Sequence, residues 1–150
     1  MPVTDIAEYI AKEKADAYRQ QMQPHDLIIT ADTVVIVDDE VMGKPVDAVD
    51  ARRMLQKLSA RTHQVITGVC LTTCKEQRAF SVSTDVTFKQ LSDKEIAHYI
   101  EHYRPFDKAG AYGIQEWIGY IGVTGLQGSY FNVMGLPVQR IYTELLAFSC

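Results

Sequence analysis

Hydrophobic positions in this chain change period several times, and each change marks an element. Ile6, Ile10 and Tyr18 lie four and eight residues apart on one helical stripe, and Lys14 falls on the same stripe. Asp5 and Glu8 form a capping pair in front of it, so the spacing predicts a helix from Ile6 to about Gln20. Leu27–Ile29 and Val34–Val37 are apolar runs that read as one strand interrupted near Asp32. Asp38-Asp39 makes a turn, and Glu40–Met42 returns as a short strand. Asp47 caps a second helix, with Ala51, Met54, Leu55 and Leu58 at helical spacing. Val65, Thr67, Val69 and Leu71 alternate with other residues, as do Phe80, Val82, Thr84, Val86 and Phe88. These runs predict neighbouring antiparallel strands joined near Cys74–Gln77. Ser92 to Glu95 is a capping box for a helix with the stripe Ile96, Tyr99, Ile100 and Tyr103, which stops at Pro105. Ile118–Val123 and Tyr130–Val133 read as strands. Pro137 opens a last helix with the stripe Val138, Ile141, Tyr142 and Leu145. Long strand pairs with separated helices predict an α/β domain built on a mixed sheet, with no repeat and no linker.

Composition narrows the class. At 150 residues and 47% hydrophobic content the chain is one domain with a real core. A formal net charge of −4 argues against a polynucleotide binder, which shows a basic surface, but a local cluster of lysines suffices for one triphosphate. No stretch approaches the ~20 apolar residues of a membrane span, and no secretory signal is visible. Cys70, Cys74 and Cys150 are an odd set without disulfide-like or zinc-like spacing, which fits a reducing, cytoplasmic location.

Five segments carry candidate chemistry. Asp107-Lys-Ala-Gly-Ala-Tyr-Gly-Ile-Gln115 suits no regular element. Its glycines let the backbone approach a ligand, Lys108 can meet a phosphate as a point charge, and Gln115 offers both a donor and an acceptor. Asp32, between two hydrophobic runs, is the type of carboxylate that is paired, metal-bound or catalytic. Lys44 stands between flexible Gly43 and rigid Pro45. Lys14, on an apolar stripe, either snorkels over its aliphatic stem or faces a ligand. Ser129 and Asn132 either position a ligand or satisfy turn backbone.

Taken in order, Lys14-Ala15, Ala31-Asp-Thr33, Gly43-Lys-Pro45, Asp107 to Gln115 and Gly128-Ser-Tyr-Phe-Asn-Val-Met-Gly-Leu-Pro137 resemble the Maf family of nucleoside triphosphate pyrophosphatases over essentially the whole chain. The resemblance implies the fold of inosine triphosphate pyrophosphatases, a bent mixed sheet flanked by helices around a cleft. It implies Asp32 as general base, Lys14 and Lys44 as phosphate contacts beside the candidate Lys108, and Thr33 and Gln115 as substrate-binding positions. Countering triphosphate charge also calls for a divalent cation, Mg²⁺ or Mn²⁺, with Asp32 a candidate ligand and Asp107 either a ligand or the partner of a neighbouring lysine. Ala-Asp-Thr is similar to the branch acting on dTTP and UTP. Members acting on 7-methyl-GTP carry Asp-Gln there.

Two features depart from the family pattern. Family members begin with a strand, a Ser-x-Ser-Pro-Arg-Arg loop and a following Glu, whereas this sequence opens at Met1-Pro-Val-Thr4, so a single Maf-like domain lacking that segment is expected. Glu116 stands where the family carries Gly. The function implied is house-cleaning hydrolysis of dTTP and UTP, with modified pyrimidine triphosphates as further substrates, to the monophosphate and pyrophosphate. The alternative is a non-catalytic nucleotide-binding protein that inhibits septum formation. Nucleotide is the expected partner, with a homodimer implied by the family and neither nucleic acid polymer nor membrane involved.

Overall fold

The computed structural model of the protein describes residues 2–148; Cys150 lies outside them. Helix α1 runs over Ile6–Tyr18, strand β1 over Ile28–Val37, β2 over Glu40–Met42 and α2 over Ala48–Leu58. Strands β3 (Thr62–Thr72) and β4 (Gln77–Phe88) follow, then α3 (Asp93–Tyr103), α4 (Trp117–Gly122), β5 (Val123–Gln127), α5 (Tyr130–Val133) and α6 (Val138–Ala147). The strands form one sheet in the order β2-β1-β3-β4-β5. This is the expected α/β sheet flanked by helices. All four pairings among the described residues are antiparallel, so the mixture of directions is not found in them.

Local chemistry explains most of the boundaries. Asp38 and Asp39 both take positive φ, 49° and 64°, which closes the tight β1–β2 hairpin. Asp47 accepts from the Asp50 amide to start α2, and Ser92 with Glu95 completes the reciprocal capping box of α3. Arg104 turns left-handed ahead of Pro105 and ends α3. Asp5 differs from expectation. It sits in a short 3-10 turn and its side chain makes no cap hydrogen bond.

The largest core lies on one face of the sheet. Val35, Val37, Val65, Val86 and Phe88 pack there against Met54, Leu55 and Leu58 of α2 and Ile96, Tyr99 and Ile100 of α3. On the opposite face α1 lies against the central strands, with Ala7, Ala11 and Ala15 buried over Ile66 and Cys70. The buried stripe of α1 is therefore alanine. Ile6, Ile10 and Lys14 turn toward an open cleft, and Tyr18 is exposed. Small residues win that face because a Cβ on Gly68 would stand 2.2 Å from the Glu8 amide nitrogen, so the helix backbone rests almost on the strand.

Four other expectations change. β1 runs through Asp32 without a break, because Asp32 pairs with Gly68 of β3 in register and its side chain leaves the sheet plane toward α1. Ile118–Gly122 is helical, and the strand begins only at Val123. The position of a Cβ on Gly119 falls 1.8 Å from the Ile114 carbonyl oxygen, a closeness that the helical turn reaches. Tyr130–Val133 is also a helical turn, capped by Ser129. On α6, Ile141 packs with Val69, Leu71, Phe80 and Phe148, while Val138 and Tyr142 of the expected stripe face outward.

Candidate active site

β2 pairs only with Val35–Val37, and beside the remainder of β1 opens a cleft of about 540 Å³. Lys14, Asp32, Thr33, Lys44, Asp107, Lys108 and Gln115 all line it, together with Ile6, Ile10 and Tyr112. Residues 14 and 115 are far apart in sequence, and the fold brings every expected site residue to one depression. A cleft of that size is typical of small-molecule sites, ~300–1,000 Å³.

The sheet's period of two sends Asp32 and Thr33 to opposite faces at the cleft edge. Asp32 meets Lys14, whose ammonium donates to Asp32 Oδ1 at 3.2 Å and to the Ala31 carbonyl at 2.9 Å. The Lys14 side chain is 47% exposed and that of Asp32 23%. An ion pair this open to water contributes only ~0–1 kcal/mol to stability, so the arrangement is not there to hold the fold. Lys14 is thus neither a free snorkelling lysine nor a core group. Thr33 shares a hydrogen bond of 2.8 Å with Thr67, which donates to the Asn132 carbonyl.

Asn132 and Ser129 serve the backbone. Ser129 Oγ accepts from the Asn132 amide. The buried Asn132 carboxamide donates to the Val65 and Val82 carbonyls and contacts Thr84 Oγ1. They fasten the Gly128–Pro137 segment to the sheet, so that Val133, Met134 and Gly135 form one wall of the cleft.

On the far side, the Gly110 amide donates to the Gly43 carbonyl at 3.1 Å, clamping the Lys44 loop to the Lys108 loop. Gly110 has φ +71°, and a Cβ there would stand 2.9 Å from Val35 Cγ2. Ala111, fully buried, follows at φ 64°, a left-handed angle unusual for a residue with a side chain. Such strain clusters at functional sites. Lys108 pairs with Asp107 at 3.1 Å. That hydrogen bond, more than the nearby Lys44 charge, holds the Asp107 carboxyl below its usual range. Asp107 is therefore lysine-paired here.

No group of three or more His, Cys, Asp or Glu side chains among the described residues could by itself hold a metal. Asp32 and Asp107 are nevertheless hard oxygen donors on the same cleft. Mg²⁺ characteristically takes one or two carboxylates and completes its shell with water and phosphate oxygens, so this donor set suits a cation arriving with a triphosphate.

Several residues around the site have no sequence signal of their own. Tyr99 belongs to the apolar stripe of α3, yet its hydroxyl donates to Glu116 and accepts from the Gly113 amide. His63, 1% exposed, shares a hydrogen bond with the buried Tyr112 hydroxyl and has no partner for Nδ1 among the described residues. Burial pushes His63 down to about 4. Ile6 and Ile10 carried the right period, but for a stripe that lines the cleft, with Ile6 also packed at the edge of the Val34, Ile36 and Ile66 cluster.

Comparison with known proteins matches residues 2–148 to the family described as Maf-like protein. This chain belongs to the Maf family. With membership comes the inosine triphosphate pyrophosphatase-like fold class. A dTTP/UTP pyrophosphatase of Phocaeicola vulgatus is 68% identical over 141 residues, 94% of this chain and 73% of the relative. A Porphyromonas gingivalis protein of the same name is 60% identical over 142 residues, 93% of this chain and 71% of its own. A third, from Bacteroides thetaiotaomicron, is 57% identical over 141 residues, again 94% and 73%. No helix among the described residues of this Maf protein is long and apolar enough to cross a membrane.

Proposed function

We propose that this Maf protein hydrolyses dTTP and UTP to the monophosphate and pyrophosphate. The observation that carries the reading is the meeting of one carboxylate, Asp32, with Lys14, Lys44 and Lys108 on a single cleft, in a chain whose close relatives bear the name dTTP/UTP pyrophosphatase. A triphosphate needs its negative charge countered, and the lysines supply that from three separate segments. Asp32 takes a proton from a water as that water's oxygen bonds the α-phosphorus. The bond from the α-phosphorus to the bridging oxygen breaks, and pyrophosphate leaves with its electron pair. Lys14, hydrogen-bonded to Asp32, orients the carboxylate and stands ready for a phosphate oxygen. Mg²⁺ or Mn²⁺, held by Asp32 together with the phosphates, would add charge compensation and polarise the water, while Asp107 stays paired with Lys108.

Base choice falls to Gln115. Uracil and thymine present acceptor, donor, acceptor on their pairing edge, which a carboxamide can match with one accepted and one donated hydrogen bond. Cytosine mismatches one of these, and an unmet buried polar group costs ~1–3 kcal/mol, or roughly ten- to a hundredfold in rate. Thr33, tied to Thr67, shapes the pocket without carrying the proton. The reading assigns the chain a house-cleaning role in the cytoplasm, with modified pyrimidine triphosphates as further substrates.

Pyrophosphate release, measured with Mg²⁺ or Mn²⁺ over dTTP, UTP, CTP, ATP and GTP, tests the proposal. dTTP and UTP are expected to react fastest. Nucleotide binding without pyrophosphate release would instead support a non-catalytic role.

A further inference from the structure

Glu116 belongs to a small hydrogen-bond network behind Gln115. The Glu116 amide donates to the Gly113 carbonyl at 3.0 Å, which closes a four-residue turn over 113–116. Gln115 is the third residue of that turn, exposed and on the cleft. Both ends of the turn meet one atom. The Tyr99 hydroxyl donates to Glu116 Oε1 at 2.6 Å and accepts from the Gly113 amide at 3.0 Å.

Tyr99 is itself closely packed. It is fully buried in α3, and its ring stacks on Tyr103 at 5.1 Å. Burial, then the bond to Glu116, push its hydroxyl above the ordinary tyrosine range, so it remains a donor at every pH the protein meets. The same place carries the Lys108 stem. A Cβ on Gly113 would stand 2.8 Å from Lys108 Cε and 2.9 Å from Glu116 Oε1. Lys108, Gly113 and Glu116 are thus stacked against one another, with Gln115 projecting from the middle of the turn.

We propose that Tyr99 and Glu116 are positioning residues for base selection: the Tyr99 hydroxyl staples the two ends of the Gly113–Glu116 turn and so sets where Gln115 meets the pyrimidine. The inference rests on Gln115 reading the base. A turn held at one end only would let the carboxamide wander, and a hydrogen bond that must be found costs selectivity before it costs chemistry. Glu116 gives the buried tyrosine proton a charged acceptor.

The test compares kcat/KM for UTP and CTP in wild type, Gln115→Ala, Tyr99→Phe, Glu116→Ala, Glu116→Gln and the double variant Tyr99→Phe with Gln115→Ala. Tyr99→Phe and Glu116→Ala are expected to lower the UTP-to-CTP ratio about three- to tenfold, as suits the loss of one hydrogen bond. Glu116→Gln, whose amide oxygen still accepts from Tyr99, should retain most of the ratio. The double variant should be no less selective than Gln115→Ala alone. If Gln115→Ala loses selectivity while Tyr99→Phe and Glu116→Ala keep it, the staple is overturned and the reading of Gln115 stands. If Gln115→Ala keeps the ratio, that reading falls and the staple's role with it. Should Tyr99→Phe fail to fold, half-buried Glu116→Ala decides alone, and an unchanged ratio there overturns the inference.

Discussion

Asp32 and Lys14 form a half-open pair, and that exposure separates the role proposed for them from any role in stability. Asp32→Asn keeps the shape and the contact to Lys14 but cannot take a proton. Turnover should fall by about 10²–10⁴-fold, and an unaltered kcat would remove Asp32 from the role of base. Lys14→Ala should raise KM for UTP several-fold while the unfolding free energy moves by no more than ~1 kcal/mol. Chemical denaturation of both proteins beside their kinetics checks this pair of outcomes. His63 gives a residue-scale pH dependence. Its folded value is about 4 against an ordinary 6.5. Between those values the unfolded chain binds a proton that the folded chain refuses, so stability is complete above pH 6.5 and is lost as pH falls toward 4. The loss can reach ~3 kcal/mol. Urea midpoints at pH 7.5, 6 and 5 should fall in that order, and His63→Gln should flatten the slope over the same window. The depressed Glu40, Glu95 and Glu144 carboxyls act lower, below the usual glutamate range, which keeps the two contributions apart.

At the scale of elements, the contact of α1 with β3 controls where Lys14 ends up. Ala7, Ala11, Ala15 and Gly68 let the helix backbone lie on the strand. Gly68→Ala would place a methyl group 2.2–2.4 Å from the Ala7 and Glu8 backbone, so the helix must lift. A destabilisation of about 1–3 kcal/mol is expected from such overpacking, together with a raised KM, because Lys14 moves with its helix. A variant with wild-type melting and KM would mean that α1 is not seated as described. Much of the element pattern was legible in the sequence. Capping chemistry at Asp47 and Ser92 and strict alternation along β4 act locally, so α2, α3 and the β3–β4 hairpin could be read from composition alone. Ile118–Gly122 and Tyr130–Val133 could not. Runs of four to six apolar residues fit either period, and the choice was made by Ile114 and Gly119 in one case and by the Ser129 cap in the other.

Across the whole molecule, the cleft draws on α1, the open side of β1, the Gly43–Lys44 loop, the Asp107–Gln115 segment and the Val133–Gly135 wall. A ligand that touches all of these ties the chain together from end to end. UTP added to Asp32→Asn should therefore raise the melting temperature in a concentration-dependent manner, by the equivalent of ~2.7 kcal/mol at a hundred times Kd. Lys44→Ala in the same background should shift that response to higher UTP concentration. A melting temperature indifferent to UTP would show that the cleft does not bind it.

Residue chemistry and ordered motifs were enough to single out side chains that line one cleft: Lys14, Asp32, Thr33, Lys44, Lys108 and Gln115. Their convergence was a matter of tertiary structure, since a period of two or of 3.6 says which face a residue takes but not what that face meets. Only the packed fold set Ile6 and Ile10 along the cleft, paired Asp107 with Lys108, and brought Tyr99, a core residue by every local sign, under the turn that carries Gln115. Hydrogen bonds across seventeen residues, such as Tyr99 to Glu116, leave no periodic trace, because their geometry exists only after α3 and the signature loop have docked.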